Sequence, residues 1–325
     1  MEEKVDIIVT VQEGNCRFDV FLTRYLGISR SFAAKIIENS SIRVDGEKKK
    51  PSFKLKAGMH IYGNFEREEK ELSLKPSEIP LDVLYEDDWI IVINKPAGLV
   101  IHPGAGNTEH TLVHALLAKY PEIAGVGDPS RPGVVHRLDK LTSGVMVVAR
   151  KIEAHTVLSH AFKAHEHTRE YFAICYGRMP AEQGSIETYM QRHPKDRKRM
   201  TSRVKEGRKA VTHYQIVKQW KEFSLLKLSL ETGRTHQIRV HLSDMGHPVA
   251  GDNQYGGRKR TSSIQDKILR SSIRNLSRQM LHAAILGIVH PGTGELMEFK
   301  AVMPGDMKEL ITVLDERGNS NCPMS

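Results

Sequence analysis

The segment GVVHRLDKLTSG, residues 133–144, sets His136, Arg137 and Asp139 within four positions, directly ahead of the apolar run Val145–Ala149. An imidazole, a guanidinium and a carboxylate at the mouth of a buried strand suit several chemistries, and the chain excludes most of them. Ser143 lies near His136 and Asp139, but adjacency in sequence is not a triad, and no G-x-S-x-G turn occurs. Gly104-Ala105-Gly106 is an isolated pair of glycines without the third of a dinucleotide fingerprint, and no G-x-x-x-x-G-K-[ST] is present. Sixteen histidines invite a metal reading, and His160, His165 and His167 stand close in HAFKAHEH. The spacing is wrong for H-E-x-x-H, so no metal site is expected. Taken alone, Asp139 is also what a turn ahead of Thr-Ser-Gly uses to bond its own backbone.

The elements that must position such a loop divide into two groups. In RFDVFLTRYLG, Phe18, Phe21, Leu22, Tyr25 and Leu26 recur at helical spacing and Gly27 closes the run. A second helix follows with Phe32, Ala33, Ile36 and Ile37 inward. Ile42 and Val44 then alternate with Arg43 ahead of an Asp45-Gly46 turn, a hairpin signal. The polar faces carry Arg24, Arg30, Lys35, Arg43 and Lys48 to Lys50. Residues 1–65 therefore read as one domain, and the acidic, proline-punctuated stretch 66–80 as a linker. Residues 81–325 mix strands (LDVLYEDD, WIIVINKP, VMVVARK, YFAICYG, HYQIVKQW, FSLLKLSL) with helical stretches such as HTLVHALLAKY and EAHTVLSHAFKAHE. Many strands adjoin without a helix between them, which predicts an α+β domain on a mixed, largely antiparallel sheet with flanking helices.

Charge narrows the partner. The chain of 325 residues carries a net +9, with 39% hydrophobic and 27% charged residues. Residues 191–210 hold nine basic and two acidic side chains, and residues 257–280 hold seven and one. With a net +3 in residues 1–65, the remainder is about −7. Segregated positive charge is the footprint of a polyanion such as nucleic acid. Residues 257–278 read as a mobile basic insertion. The scattered Cys16, Cys175 and Cys322 argue against a disulfide framework. No stretch approaches the roughly 20 apolar residues of a membrane helix, and the acidic N-terminus is unlike a signal peptide. A cytoplasmic protein without a membrane partner is the expectation.

One further motif precedes the first, INKPAGLVIHPGAG, and three follow it in order: REYFA (169–173), TGRTHQIRVHLSDMGHPVAGDNQYGG (232–257) and RQMLHAAILGIVHPGTGE (278–295). With HRLDKLTSG, this series resembles the RluA-type family of RNA pseudouridine synthases across nearly the whole chain. The helix-SRS-helix-IRVDG pattern resembles the S4 RNA-binding domain. One departure is Leu141, which stands where an acidic or other polar residue is common.

The resemblance implies isomerisation of specific uridines in a stem-loop of large-subunit ribosomal RNA, free or in a pre-50S particle, by a monomer without cofactor. Asp139 is then the catalytic aspartate, as nucleophile or as base toward the 2′ proton; the sequence leaves both open. A carboxylate in a closed pocket calls for a cation, by resemblance Arg239, able to pair with it bidentately. Tyr171 is the active-site tyrosine and Ile238 an apolar wall for the uracil. The target base must be extruded at a cost of a few kcal/mol. Arg137 then fills the vacated stack and His136 supports a neighbouring nucleotide. Arg24, Arg30, Lys35 and Arg43 present the S4 unit to RNA. Two other functions fit the same motifs: an RNA-binding assembly factor without activity, and an RNA N-glycosidase that lets water intercept the sugar.

Overall fold

The computed structural model describes residues 2–11, 14–28, 30–39, 41–66, 74–104, 107–256 and 259–317. The chain divides into two compact units, Met1–Ser73 and Leu74–Ser325.

In the first unit, β1 (Glu2–Ile8) pairs antiparallel with β3 (His60–Glu66), which pairs antiparallel with β2 (Arg43–Val44). Helices α1 (Phe18–Leu26) and α2 (Arg30–Asn39) cover this small sheet. The helical spacing read from the sequence is realised: Phe18, Phe21, Leu22, Ala33, Ile36 and Ile37 are buried with Val5, Val44 and Ile61. Tyr25 differs, stacking on Phe21 but half exposed, because it lies one turn beyond the core. Asp45 and Gly46 both take positive φ, +50° and +85°, as the mirror-image turn after Val44 requires. Arg24 and Lys35 are exposed, and Arg43 is half buried with Nη1 donating to the Ile42 carbonyl at 3.0 Å. The Arg30 side chain lies outside the described residues.

The second unit is built on a ten-stranded sheet: β4 (Val83–Glu86), β5 (Ile90–Lys95), β6 (Ser143–Ala149), β7 (Thr168–Tyr176), β8 (Gln183–Arg192), β9 (Met200–Thr201), β10 (Arg208–Gln219), β11 (Phe223–Leu230), β12 (Leu281–Val289) and β13 (Leu296–Lys300). The order is β4-β5-β6-β12-β7-β11-β10-β8-β9, with β13 also on β12. Only β6 and β12 pair in parallel, His282 opposite Ser143 and Ala283 opposite Gly144. The expected mixed, largely antiparallel α+β architecture is thus present. Helices α3 (Leu112–Lys119), α4 (Ile152–Ala164), α5 (Gln237–Asp244), α6 (Lys267–Arg274) and α7 (Gly305–Arg317) complete it.

Two expectations change. The linker is shorter than residues 66–80: Leu74 is buried in the core of the second unit and Ser77 donates its N–H to the His114 carbonyl. Residues 67–73 lie outside the described residues. The described part of the basic insertion, from residue 259, is folded and not mobile. Asp266 caps α6 by accepting from the Leu269 N–H at 2.8 Å, and Ile264, Leu269 and Ile273 are buried against Met307, Leu310 and Leu314. Its apolar residues are few but recur on one helix face, and that stripe is enough to dock it on α7. The basic block 191–210 lies at one edge of the sheet, with the non-regular stretches 193–199 and 202–207 on either side of β9. It contains β9 and the ends of β8 and β10, whose sparse apolar pattern comes from their position at the sheet edge.

Candidate active site

Asp139 sits in the loop that leads into β6. The loop is held from three sides. Leu138 is buried among Tyr171, Ile238, Leu281 and Ala283. Gly98 N–H and the Lys95 ammonium both donate to the Lys140 carbonyl, at 2.8 and 3.2 Å. The Asp139 carbonyl accepts from the Thr142 N–H at 3.0 Å, closing the turn that the sequence suggests. Gly144, at φ +121°, is required here, because a Cβ would overlap the Ala283 carbonyl of β12. Any side chain at that position would open the parallel β6–β12 pair beneath the loop.

The Asp139 carboxylate is left 16% exposed and faces a small open cleft lined by Arg137, Arg169, Tyr171, Gly233, Arg234, His236, Ile238 and Arg239. Alternation along β7 puts Arg169 and Tyr171 on one face of the strand, toward this cleft. Tyr171 is buried, which pushes its hydroxyl pKa up; Arg169 opposes that shift and Asp139 adds to it. Ile238 and Arg239 come from α5, whose entry is shaped by Gln237. That side chain accepts from the Thr232 hydroxyl and the Arg234 N–H and donates to the Val211 carbonyl.

Arg239 does pair with Asp139, but not in the expected bidentate form. Nη1 donates to Asp139 Oδ2 at 3.0 Å, a single bond. The bidentate fork goes to Asp252: Nε to Oδ2 at 2.7 Å and Nη2 to Oδ1 at 3.0 Å. The reason is position. Asp252 is 1% exposed, behind a turn at Gly251 (φ +75°) whose Cβ would overlap the Arg278 carbonyl. There it also accepts from the N–H groups of Gln254 and Tyr255. Nη2 additionally donates to Gln254 Oε1, and the guanidinium lies 4.9 Å from the Tyr255 ring. Although burial opposes the charge, Asp252 and then Asp139 hold the Arg239 pKa above its ordinary value.

His236, Asp252, Lys95 and Arg169 were not singled out by sequence reasoning. His236 Nε2 is 3.9 Å from Asp139 Oδ1, while its Nδ1 is 2.7 Å from the Tyr255 hydroxyl. That hydroxyl also accepts from the Met200 N–H, which fixes the ring with Nε2 as the nitrogen nearest Asp139. Burial lowers the His236 pKa. Lys95 is fully buried at the end of β5, with Nζ donating to the carbonyls of Pro96, Leu99 and Lys140. Burial pushes its pKa down to about 7, and the charge of Asp139 opposes this. A lysine that ends an apolar strand was the available signal for it; Asp252 had only its place inside a long motif.

Arg137 is exposed on the lip of the cleft. His136 is not part of the lining. Its Nε2 accepts from the Val147 N–H at 3.0 Å and its ring stacks on Phe162 at 4.4 Å. Burial holds it well below the usual imidazole range, so it packs as a neutral ring, which replaces the expected contact with a nucleotide.

Comparison with known proteins agrees with this geometry. Residues 89–244 match the RNA pseudouridylate synthase family and residues 16–61 the S4 domain. The chain is 43% identical over 318 residues to the ribosomal large subunit pseudouridine synthase D of Escherichia coli strain K12, covering 97% of this chain and 96% of that one. The protein of the same name from Xanthomonas campestris is 42% identical over 301 residues, 92% and 89% of the two chains. The solved structure of human RNA pseudouridylate synthase domain containing 4 superposes with a TM-score of 0.55 at 25% identity, covering 72% of this chain and 93% of the other. With its Asp139–Arg239 pair at an open cleft and an S4 unit ahead of it, this chain belongs to the RNA pseudouridine synthase family of isomerases.

Proposed function

We infer that the protein converts specific uridines to pseudouridine in a stem-loop of large-subunit, 23S-type ribosomal RNA. The observation that carries this reading is the partly exposed Asp139 carboxylate, held by one Arg239 bond and facing Tyr171 across the cleft, in a chain similar throughout to enzymes named for that RNA subunit. The reaction is an isomerisation. The N1–C1′ bond breaks, the uracil turns over, C5 bonds to C1′, the C5 hydrogen leaves as a proton and N1 gains one. Nothing is oxidised or reduced and no group donor is consumed, so no cofactor is called for. Asp139 acts at the sugar–base junction, either by attack on the nucleoside or by removal of the 2′ proton. Its remaining oxygen is free of the arginine for that purpose. Arg239, anchored on Asp252, keeps the carboxylate aimed into the cleft. Tyr171 lies against the base with its O–H available at C5, and Ile238 forms the apolar wall.

The uridine reaches this cleft by flipping out of the RNA stack, and Arg137 fills the gap from the exposed lip. Arg24, Lys35, Arg43 and Arg30 of the S4 unit, with the basic edge of residues 191–210, hold the surrounding RNA backbone. The protein works as a cytoplasmic monomer on free RNA or on a pre-50S particle. Unmodified large-subunit RNA carrying C5-tritiated uridine tests the reading. Wild-type protein should release tritium and Asp139→Asn should not. Equal release by the variant would reject Asp139, and free uracil in the supernatant would indicate hydrolysis instead of isomerisation.

A further inference from the structure

Three arginines are buried among the described residues: Arg169, Arg239 and Arg278. Two of them are matched by a carboxylate fork. Arg239 has Asp252, and Arg278 places Nε and Nη2 on the two oxygens of Asp306 at 2.6 and 2.7 Å. Arg169 has no carboxylate partner among the described residues, and its side-chain hydrogen bond goes to the neutral Tyr171 hydroxyl. It is 9% exposed, its Nε is buried without a hydrogen bond, and the carboxylates around it are engaged elsewhere: Glu170 by Lys227 at 3.1 Å, Asp139 by Arg239. Removing a guanidinium from water costs several kcal/mol unless an anion meets it. The charge is nevertheless kept, two residues from Tyr171 and on the wall of the cleft.

The opening beside it is also specified. Gly233 is exposed, and a Cβ there would come within 2.7 Å of Arg169 Nη1 and 3.0 Å of Nη2. Lacking that atom, residue 233 lets the guanidinium lie next to solvent at the cleft mouth. Arg234 follows directly, half buried and tethered by Nε to the Lys209 carbonyl at 3.1 Å. Two cations therefore flank one exposed glycine, with no carboxylate between them. A planar fork of donors in that setting suits a tetrahedral oxyanion better than a base edge.

We propose that Arg169, with Arg234 across Gly233, is the subsite for a backbone phosphate of the RNA whose uridine enters the cleft. This rests on the reading of the cleft as an RNA uridine isomerase. A flipped nucleotide carries its phosphate toward the cleft mouth, and a buried, unmatched guanidinium is prepared to take it. The phosphate supplies the anion that the protein withholds, so the site gains its charge balance only with substrate bound.

Arg169→Met and Gly233→Ala test the assignment against an in vitro transcript of large-subunit ribosomal RNA. A charged hydrogen bond contributes about 1.5–3 kcal/mol, so Arg169→Met should raise KM roughly 10- to 100-fold. The loss should fall on KM far more than on kcat, and the log Kd against log salt slope should become shallower by about 0.7–0.9. Gly233→Ala keeps the charge but displaces it, and should raise KM by a smaller factor. A collapse of kcat with KM and salt slope unchanged would mean that Arg169 serves Tyr171 alone, and would overturn the proposal. A second arm needs no RNA. Inorganic phosphate should raise the Tm of the wild type but not of Arg169→Met, and without phosphate the variant should melt at or above the wild type. A variant that melts several degrees lower would show a structural cation and reject the subsite. If the wild type leaves the transcript unmodified, the isomerase reading fails on its own, and the phosphate arm still decides the fate of Arg169.

Discussion

One guanidinium touches two carboxylates, and they are treated differently. Asp252 is almost fully buried, takes two donors from Arg239 and two more from backbone N–H groups, and has no access to the cleft. Asp139 takes one donor from Arg239 and keeps 16% of its side chain exposed. Burial with full hydrogen bonding makes a carboxylate an anchor; a single hydrogen bond at an opening leaves it able to react. The arginine transmits the rigidity of the first to the second. Gln254 extends the same arrangement outward, accepting from Arg239 through Oε1 and donating through Nε2 to the Lys198 carbonyl of the basic sheet edge.

The contrast is broken most directly at Asp139. Asn there should lower the rate of pseudouridine formation by roughly 10⁴-fold or more, while thermal unfolding and RNA affinity stay close to wild type. An equivalent loss of stability would mean that the two carboxylates share the anchoring role. Asp252→Asn should act the other way. It leaves a buried guanidinium short of its main partner, so urea denaturation should report a loss of about 3–5 kcal/mol. An unaltered midpoint for this variant would abolish the distinction between anchor and reactant.

Smaller effects sharpen it. Tyr171→Phe should reduce kcat by about 100-fold, the low end of what a positioned proton-transfer group supplies. Burial raises the Tyr171 pKa above its ordinary value near 10, so the hydroxyl keeps its proton throughout pH 7–10. The pH profiles of wild type and Tyr171→Phe should therefore run parallel over that range. An alkaline limb present only in the wild type would indicate a phenolate instead. Gln254→Ala removes an outer support and should cost about 0.5–1.5 kcal/mol of stability, with less than a tenfold change in kcat. A larger fall in kcat would move the basic edge from a passive clamp into control of Arg239.

Much of this molecule was legible along the chain. The strands from Val83 to Leu230 that carry apolar runs, the helices α1 to α4 and the Asp45-Gly46 turn all follow from periodicity and turn chemistry. So does the shared face of Arg169 and Tyr171, since strand alternation is a local rule. β8 escaped because an edge strand exposed on alternate residues carries little apolar signal, and α6 escaped because its few apolar residues sit in a strongly basic segment. His136 misled for a related reason: its neighbours Arg137 and Asp139 suggest a polar role, but its ring meets Phe162 only after α4 folds over β6.

The kinds of group at the site, an aspartate, a tyrosine and an arginine on three separate stretches, were determined by the sequence, because residue type and motif order are properties of the chain. Which carboxylate receives the arginine fork, which imidazole nitrogen faces Asp139 and which buried arginine is left without a carboxylate were decided only in the tertiary structure. Those outcomes depend on desolvation and on distances near 3 Å between residues up to a hundred positions apart, and both exist only once the strands have converged.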